Sequence, residues 1–475
     1  MSFARTSKVV LVLRDLPVRL FSGQLSRNGL FALGHGLTQT LCVFLVYRIT
    51  ILHAGLEWLG IWSLLIACAT IARIIDISGS ATMARFVATA SLETDPFRAR
   101  DYVHTAIITG FAINAAIGVS FWLAAPLVLP SFISSDHMDQ AHVLVPWVIA
   151  NTILGALAYT PISALDGAQR ADRRSIVGAT AAAVLLFAGW VLVPRLGIVG
   201  LAAAQMLQQA TMLVMGWAVL RRHVRGLGWF PWCWRRKIFI EMTGYAARLN
   251  AVATMGLLFE PLAKFAFNHS GGPALVALFE LASRLVTQFR VLMITTAAPL
   301  SPAFAARVGF ADPASRRILE QATRISALAS AGMTLVILFA APLVSLILLD
   351  RVSPEFLYMN TALTAGWAIN TLALPLYFAA HGLGRLLWNF VGAALTAASA
   401  LVGAFFFVPA FGPTGLIAAI VAGLLASTLA LLLGNARALG AADVIWKLRG
   451  WLIAAAAMIS VLCAASGALV RLCTA

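Results

Sequence analysis

The sequence predicts an all-α polytopic membrane protein built from two like-oriented six-helix lobes and a thirteenth, C-terminal helix. Three observations lead there. The 475 residues are 61% hydrophobic and only 11% charged, too little charge for the surface of a soluble chain of this length. Apolar runs of about 20 residues recur throughout, the length that crosses a roughly 30 Å hydrocarbon core as helix, whereas barrel strands would alternate over short segments. The chain also repeats itself. Val193-Pro194-Arg195-Leu196-Gly197-Ile198-Val199-Gly200-Leu201 returns as Val408-Pro409-Ala410-Phe411-Gly412-Pro413-Thr414-Gly415-Leu416, and Gly167-Ala168-Gln169-Arg170 returns as Gly382-Leu383-Gly384-Arg385, both at an offset of 215. Two markers in one register are the trace of a duplicated half.

The elements follow in chain order. Residues 1–27 form a basic leader with Arg5, Lys8, Arg14, Arg19 and Arg27, in which Asp15 and Pro17 interrupt the apolar stretch; no cleavable signal is visible. The expected spans are 28–50, 58–82, 103–129, 142–164, 176–194 and 198–220 in the first lobe (28–220). A basic linker with Trp229, Trp232 and Trp234 covers 221–238. Spans 239–267, 273–302, 322–349, 357–380, 386–409 and 413–436 make the second lobe (239–436), and 450–471 lies in a C-terminal extension (437–475). The repeat equates span 4 with span 10, 5 with 11 and 6 with 12. Equivalent helices are six apart and cross in one direction, a parallel repeat about an axis along the membrane normal.

Charge sorts the loops. One side holds 25 of the 34 Lys and Arg, and the other holds Arg48, Arg195, Arg351 and Arg471. The positive-inside rule places the N-terminus in the cytoplasm. The net charge of +16 therefore reflects topology and does not point to nucleic acid. Cys42, Cys68, Cys233, Cys463 and Cys473 form no C-x-x-C pair and read as small hydrophobes. No Walker A, H-E-x-x-H, G-x-S-x-G or Cys/His metal set occurs, so no cofactor is expected. No loop is large enough for an external catalytic domain.

Function should lie where polarity enters the bilayer, because charge there is costly. Arg73 and Asp76 share a face of span 2. Glu260 and Lys264 are four apart on span 7, around Pro261. Glu280, Arg284 and Gln288 form a stripe on span 8, with Arg290 beyond. Each has two readings: a cavity group, or a structural pair, snorkelling side chain or loop anchor. Arg248 and Asn250 on span 7, His35 and Gln39 on span 1, and Asn370, Tyr377 and His381 on span 10 are further polar positions. Gln205, Gln208 and Gln209 on span 6 read as interhelical glue before ligand contacts. Shifted by 215, Arg284 falls on Ala69 and Glu280 on Leu65, so the central charge belongs to the second half and the cavity should be asymmetric.

Several stretches together resemble the polysaccharide-transport branch of the multidrug/oligosaccharidyl-lipid/polysaccharide exporter superfamily. They are Asp76-Ile77-Ser78-Gly79 with Ala84-Arg85, Leu165 to Arg170, the repeated G-x-x-G-L phrase, and Phe279-Glu280-Leu281-Ala282-Ser283-Arg284-Leu285 with Pro299 and Pro302. They cover most of residues 28–436. The resemblance implies a V-shaped exporter fold around a central cavity, in a bacterial inner membrane. It implies flipping of a polyprenyl-diphosphate-linked oligosaccharide from inner to outer leaflet for surface polysaccharide biosynthesis. Implied partners are that lipid-linked oligosaccharide, membrane lipids, and the glycan polymerase and chain-length machinery. Arg284 matches the family's cavity arginine. Lys264, Arg73 and Arg290 extend that cationic surface by depth and charge, with Glu280 and Glu260 neutralising it when empty. The alternatives are a cation-coupled multidrug exporter of the same fold and, in another class, a membrane-embedded glycan polymerase or acyltransferase. The excess of cations over carboxylates at membrane depth favours an anionic cargo.

Overall fold

A computed structural model describes residues 24–73, 83–90, 97–305, 310 and 312–474, which are helices joined by short turns, with no strand among them. Among the described residues, thirteen helical segments follow one another in the order of the expected spans. Six are Gln24–Ala54, Leu56–Arg73, Arg98–Val128, Met138–Gly167, Ala171–Leu196 and Ile198–Leu220. A continuous stretch, Arg236–Ala297, holds spans 7 and 8, separated at Gly271 and Gly272 where the backbone leaves helical geometry. Span 9 is Pro313–Leu349. Span 10 is a pair, Pro354–Thr371 and Leu374–Gly382, bent by 46°. Pro375 explains the bend, since it has no N–H for the carbonyl four residues earlier. Spans 11 and 12 run through 387–439 with a break at Gly412, and Ala442–Thr474 is the thirteenth. Among the described residues, eight helices, or nine with the bent pair, are long and apolar enough to cross a bilayer. The chain is a multi-pass membrane protein.

The duplicated phrases are duplicated backbone. Gly197 and Gly412 both have φ of +58°, a region side chains avoid. A Cβ on Gly200 would lie 2.4 Å from the Leu192 carbonyl oxygen, and one on Gly415 2.6 Å from that of Phe407. The second marker behaves alike: Arg170 N–H donates to the Leu165 carbonyl and Arg385 N–H to that of Ala380, each at 2.9 Å. At Gly167 and Gly382 a Cβ would strike a neighbouring backbone carbonyl, of Ala84 and Ser301 respectively. Glycine is required where helices touch through their backbones.

The packing makes a V. One apolar core joins both lobes at the end carrying the Val-Pro turns, uniting Val46, Leu59, Leu144 and Leu201 with Phe267, Phe279, Leu348 and Leu416. At the opposite, basic end the core splits. One cluster, around Tyr102, Leu165 and Trp217, belongs to the first lobe. The other, around Leu319, Leu376 and Leu448, belongs to the second and includes the thirteenth span. The first turns of span 7 join the first-lobe cluster through Ile238 and Met242. Tyr102 also donates to Glu241 at 2.8 Å, and Arg235 pairs with Asp101 at 2.9 Å.

Contacts between the lobes close the Val-Pro end, among them Arg48 Nη1 to the Leu348 carbonyl at 3.2 Å and the edge-on rings of Phe132 and Phe265. Arg48 of span 1 makes two hydrogen bonds, each 2.6 Å, to the carboxylate of Asp350 after span 9. Asn268 of span 7 donates to the Phe132 carbonyl at 2.7 Å. Gly60 of span 2 lies so near Pro273 that a Cβ there would sit 1.8 Å from the proline carbonyl oxygen.

Candidate functional site

Glu280 is the hub below this closed end. Tyr47 of span 1 donates to Oε1 at 3.0 Å, and Ser63 of span 2 to Oε2 at 3.0 Å. Lys264 of span 7 reaches Oε2 at 2.8 Å, and Arg284 Nε reaches Oε1 at 2.6 Å. Each oxygen thus accepts two bonds, which fills its lone pairs. The depths of Tyr47 and Ser63 agree with helix arithmetic. Tyr47 lies seven residues from its span's Val-Pro end, as does Ser63 from Leu56, about 10 Å at ~1.5 Å per residue. Lys264 also holds Glu260 at 2.7 Å. Two cations and two carboxylates form a neutral tetrad, which lets charge persist in a low-dielectric layer.

The members differ in access. The side chains of Glu280 and Lys264 are 3% and 4% exposed, whereas Arg284 is 44% exposed and Glu260 52%. Arg284 bonds Glu280 through Nε, and among the described residues its two Nη groups have no hydrogen-bond partner. A guanidinium pinned at one corner keeps its fork for a planar or tetrahedral anion.

Arg284 faces a cavity of about 460 Å³ inside the first lobe. The walls come from spans 1, 2, 4, 5 and 6, and Arg284 is the contribution of the second lobe. Polar groups of the wall include His35, Gln39, Asn151, Gln205, Gln208 and Gln209. No Asp or Glu occurs among the described lining residues. The span 6 glutamines do serve as glue: Gln208 donates to Gln39 at 3.1 Å, and Gln205 accepts from Asn151 at 3.1 Å and from Trp62 at 3.3 Å. They also form the wall. Because glue and ligand surface use the same amide chemistry, sequence spacing does not separate the two roles.

The other expected positions fall elsewhere. Arg290 lies with its guanidinium carbon 3.9 Å above the Trp367 ring centroid, a cation–π seat in the second lobe. Gln288 is half-buried and is not part of the cavity wall. Arg73 ends span 2; its side chain, the side chains of Arg248 and Asn250, Asp76, and residues 1–23 of the basic leader lie outside the described residues. Asn370 bonds Ser427 and Thr428 between spans 10 and 12. Sequence reasoning missed Tyr47 and Ser63, which lie 233 and 217 residues from Glu280 and carry no local signal. Cys42, Cys68, Cys233 and Cys463 are unbonded, and no cluster of His, Cys, Asp and Glu suited to a metal occurs among the described residues.

No protein-family model and no curated protein matches the chain. Solved structures do. An inward-facing multidrug resistance MATE family transporter of the MOP superfamily matches with TM-score 0.71 and 15% identity, over 87% of this chain and 98% of that one. The lipid II flippase MurJ in an inward closed conformation matches with TM-score 0.63 and 11% identity, over 93% and 98%. An outward-facing MATE family transporter matches with TM-score 0.55 and 14% identity, over 89% and 98%. The chain has the MATE/MOP transporter fold.

Proposed function

We propose that the chain is a flippase of the MOP type, which moves a polyprenyl-diphosphate-linked oligosaccharide from the inner to the outer leaflet by alternating access. The observation that carries this reading is Arg284: a half-exposed guanidinium, pinned to a carboxylate, entering a cavity whose described lining holds no acid. A cationic drug would meet repulsion there and find no counter-ion, which disfavours the multidrug alternative. No folded domain projects from the Val-Pro end among the described residues, which disfavours a polymerase or acyltransferase.

In this reading the basic end is cytoplasmic, as the Arg and Lys distribution expects, and the V is open inward. The diphosphate docks on the free Nη groups of Arg284. Glu280 holds that cation at fixed depth, and Lys264 and Glu260 balance it, so the headgroup is met by an oriented charge rather than a mobile one. Tyr47 and Ser63 tie Glu280 to the first lobe. Opening the Val-Pro end breaks those two bonds, and the diphosphate offsets that loss when it bridges the lobes at the cavity side.

Deleting the gene in its own cell tests this directly. A lipid-linked oligosaccharide should accumulate on the cytoplasmic leaflet while surface polysaccharide falls. Normal surface polysaccharide without accumulation overturns the reading.

A further inference from the structure

We propose that the first-lobe cavity is a saccharide subsite: its carboxamides hold the sugar joined to the phosphate, and Arg284 holds the phosphate itself. This rests on the flippase reading and specifies which part of the cargo each lobe takes. Carboxamides suit hydroxyl groups because each offers two donors and an acceptor with two lone pairs. Gln39, Asn151, Gln205, Gln208 and Gln209 bring five of them to one wall from spans 1, 4 and 6.

Their internal bonds leave capacity unused. Trp62 and Asn151 both donate to Gln205 Oε1, which fixes the amide, and its Nε2 makes no hydrogen bond among the described residues. Asn151 Oδ1 and His35 Nδ1 are buried and have no partner. Gln209 takes part in no hydrogen bond among the described residues. Buried polar atoms normally find partners, and here Asn151 and His35, which carry unmet atoms, are both residues of the cavity wall.

Size and charge agree. A volume of about 460 Å³ lies within the roughly 300–1,000 Å³ of small-molecule sites. Tyr159, half exposed on the same wall, offers a ring face to a sugar. With Arg284 as the one Arg, Lys, Asp or Glu among the described lining residues, the matching ligand is a neutral polyol bearing an anion at one position. An anion without hydroxyls would leave the amide oxygens without donors, and an organic cation would oppose Arg284.

The test is binding to the purified full chain in lipid nanodiscs, by equilibrium dialysis. The probes are hexose 1-phosphates of gluco, galacto and manno configuration with their 2-acetamido counterparts, inorganic phosphate, and tetraphenylphosphonium. At least one sugar phosphate should bind tenfold or more tightly than inorganic phosphate. Gln205→Leu should reduce that preference at least tenfold and leave inorganic phosphate binding within twofold, whereas Arg284→Gln should abolish inorganic phosphate binding. If Gln205→Leu fails to fold, Gln209→Leu makes the same test without breaking an internal bond. A panel with no sugar phosphate above inorganic phosphate overturns the subsite; joined to oligosaccharide accumulation in the deletion strain, it leaves the flippase reading standing. Tetraphenylphosphonium binding in place of the sugar phosphates overturns both.

Discussion

At the residue scale the decisive fact is that Glu280 is saturated by four donors from four spans. A buried carboxylate with a missing counter-charge is costly, and removing one partner of such a pair typically costs about 3–5 kcal/mol. Lys264→Met should therefore lower stability by about that amount, because Glu260 and Glu280 would lose the cation between them. The double variant Lys264→Met with Glu280→Gln should be less destabilised than the sum of the two singles, read from denaturation of the purified protein. Simple additivity would mean that the two groups do not share a network. Arg284 belongs to the same tetrad but is half open to the cavity, so its role differs from that of its buried neighbours.

At the element scale, two kinds of joint set the architecture. The Val-Pro turns are fixed by glycines that meet backbone, Gly200 against Leu192 and Gly415 against Phe407. They are legible as a repeat in the sequence alone, because backbone contact restricts the residue to glycine and restriction leaves a mark there. The interlobe latch between Arg48 and Asp350 leaves no such mark: one Arg and one Asp, 302 residues apart, are ordinary residues for the ends of spans. The Arg48 hydrogen bonds hold the Asp350 carboxyl below its usual range. A carboxyl with a lowered pKa stabilises the closed end fully above its ordinary pKa, and that contribution is lost as pH falls through the lowered value. The distance between spin labels on cysteines placed at His53 and Val352, both exposed, should thus stay short at neutral pH and lengthen only below the ordinary carboxylate range. Asp350→Asn should raise it at neutral pH to the value that wild type reaches only in acid. An Asp350→Asn protein with the wild-type distance would mean that the Arg48–Leu348, Gly60–Pro273 and Asn268–Phe132 contacts close this end without the ion pair.

At the scale of the whole molecule, one core joins the lobes at the Val-Pro end and two cores divide them at the basic end. That division makes the V. Fold class, the parallel repeat and the thirteenth span can be read from hydropathy and the offset of 215, because bilayer length and a preserved register are one-dimensional signals. The site is legible in part. Glu280, Arg284, Lys264 and Glu260 stand out as charge in apolar runs, and the structure places them together. Arg290 stands out for the same reason, yet it sits over Trp367. The cavity itself is hidden, since an empty volume is made by helices that fail to meet and no residue type encodes that gap. Its asymmetry follows from the repeat: the second half supplies the charge and the first half the space.

The most direct measurement is translocation in proteoliposomes, with a fluorescent polyprenyl-diphosphate-linked oligosaccharide loaded into both leaflets and quenched from outside. Wild-type protein should expose the inner pool well above protein-free vesicles. Arg284→Gln should fall to background, and Arg284→Lys, which keeps the charge without the fork, should lie between them. A wild-type rate equal to protein-free vesicles, or an Arg284→Gln rate equal to wild type, would contradict the account.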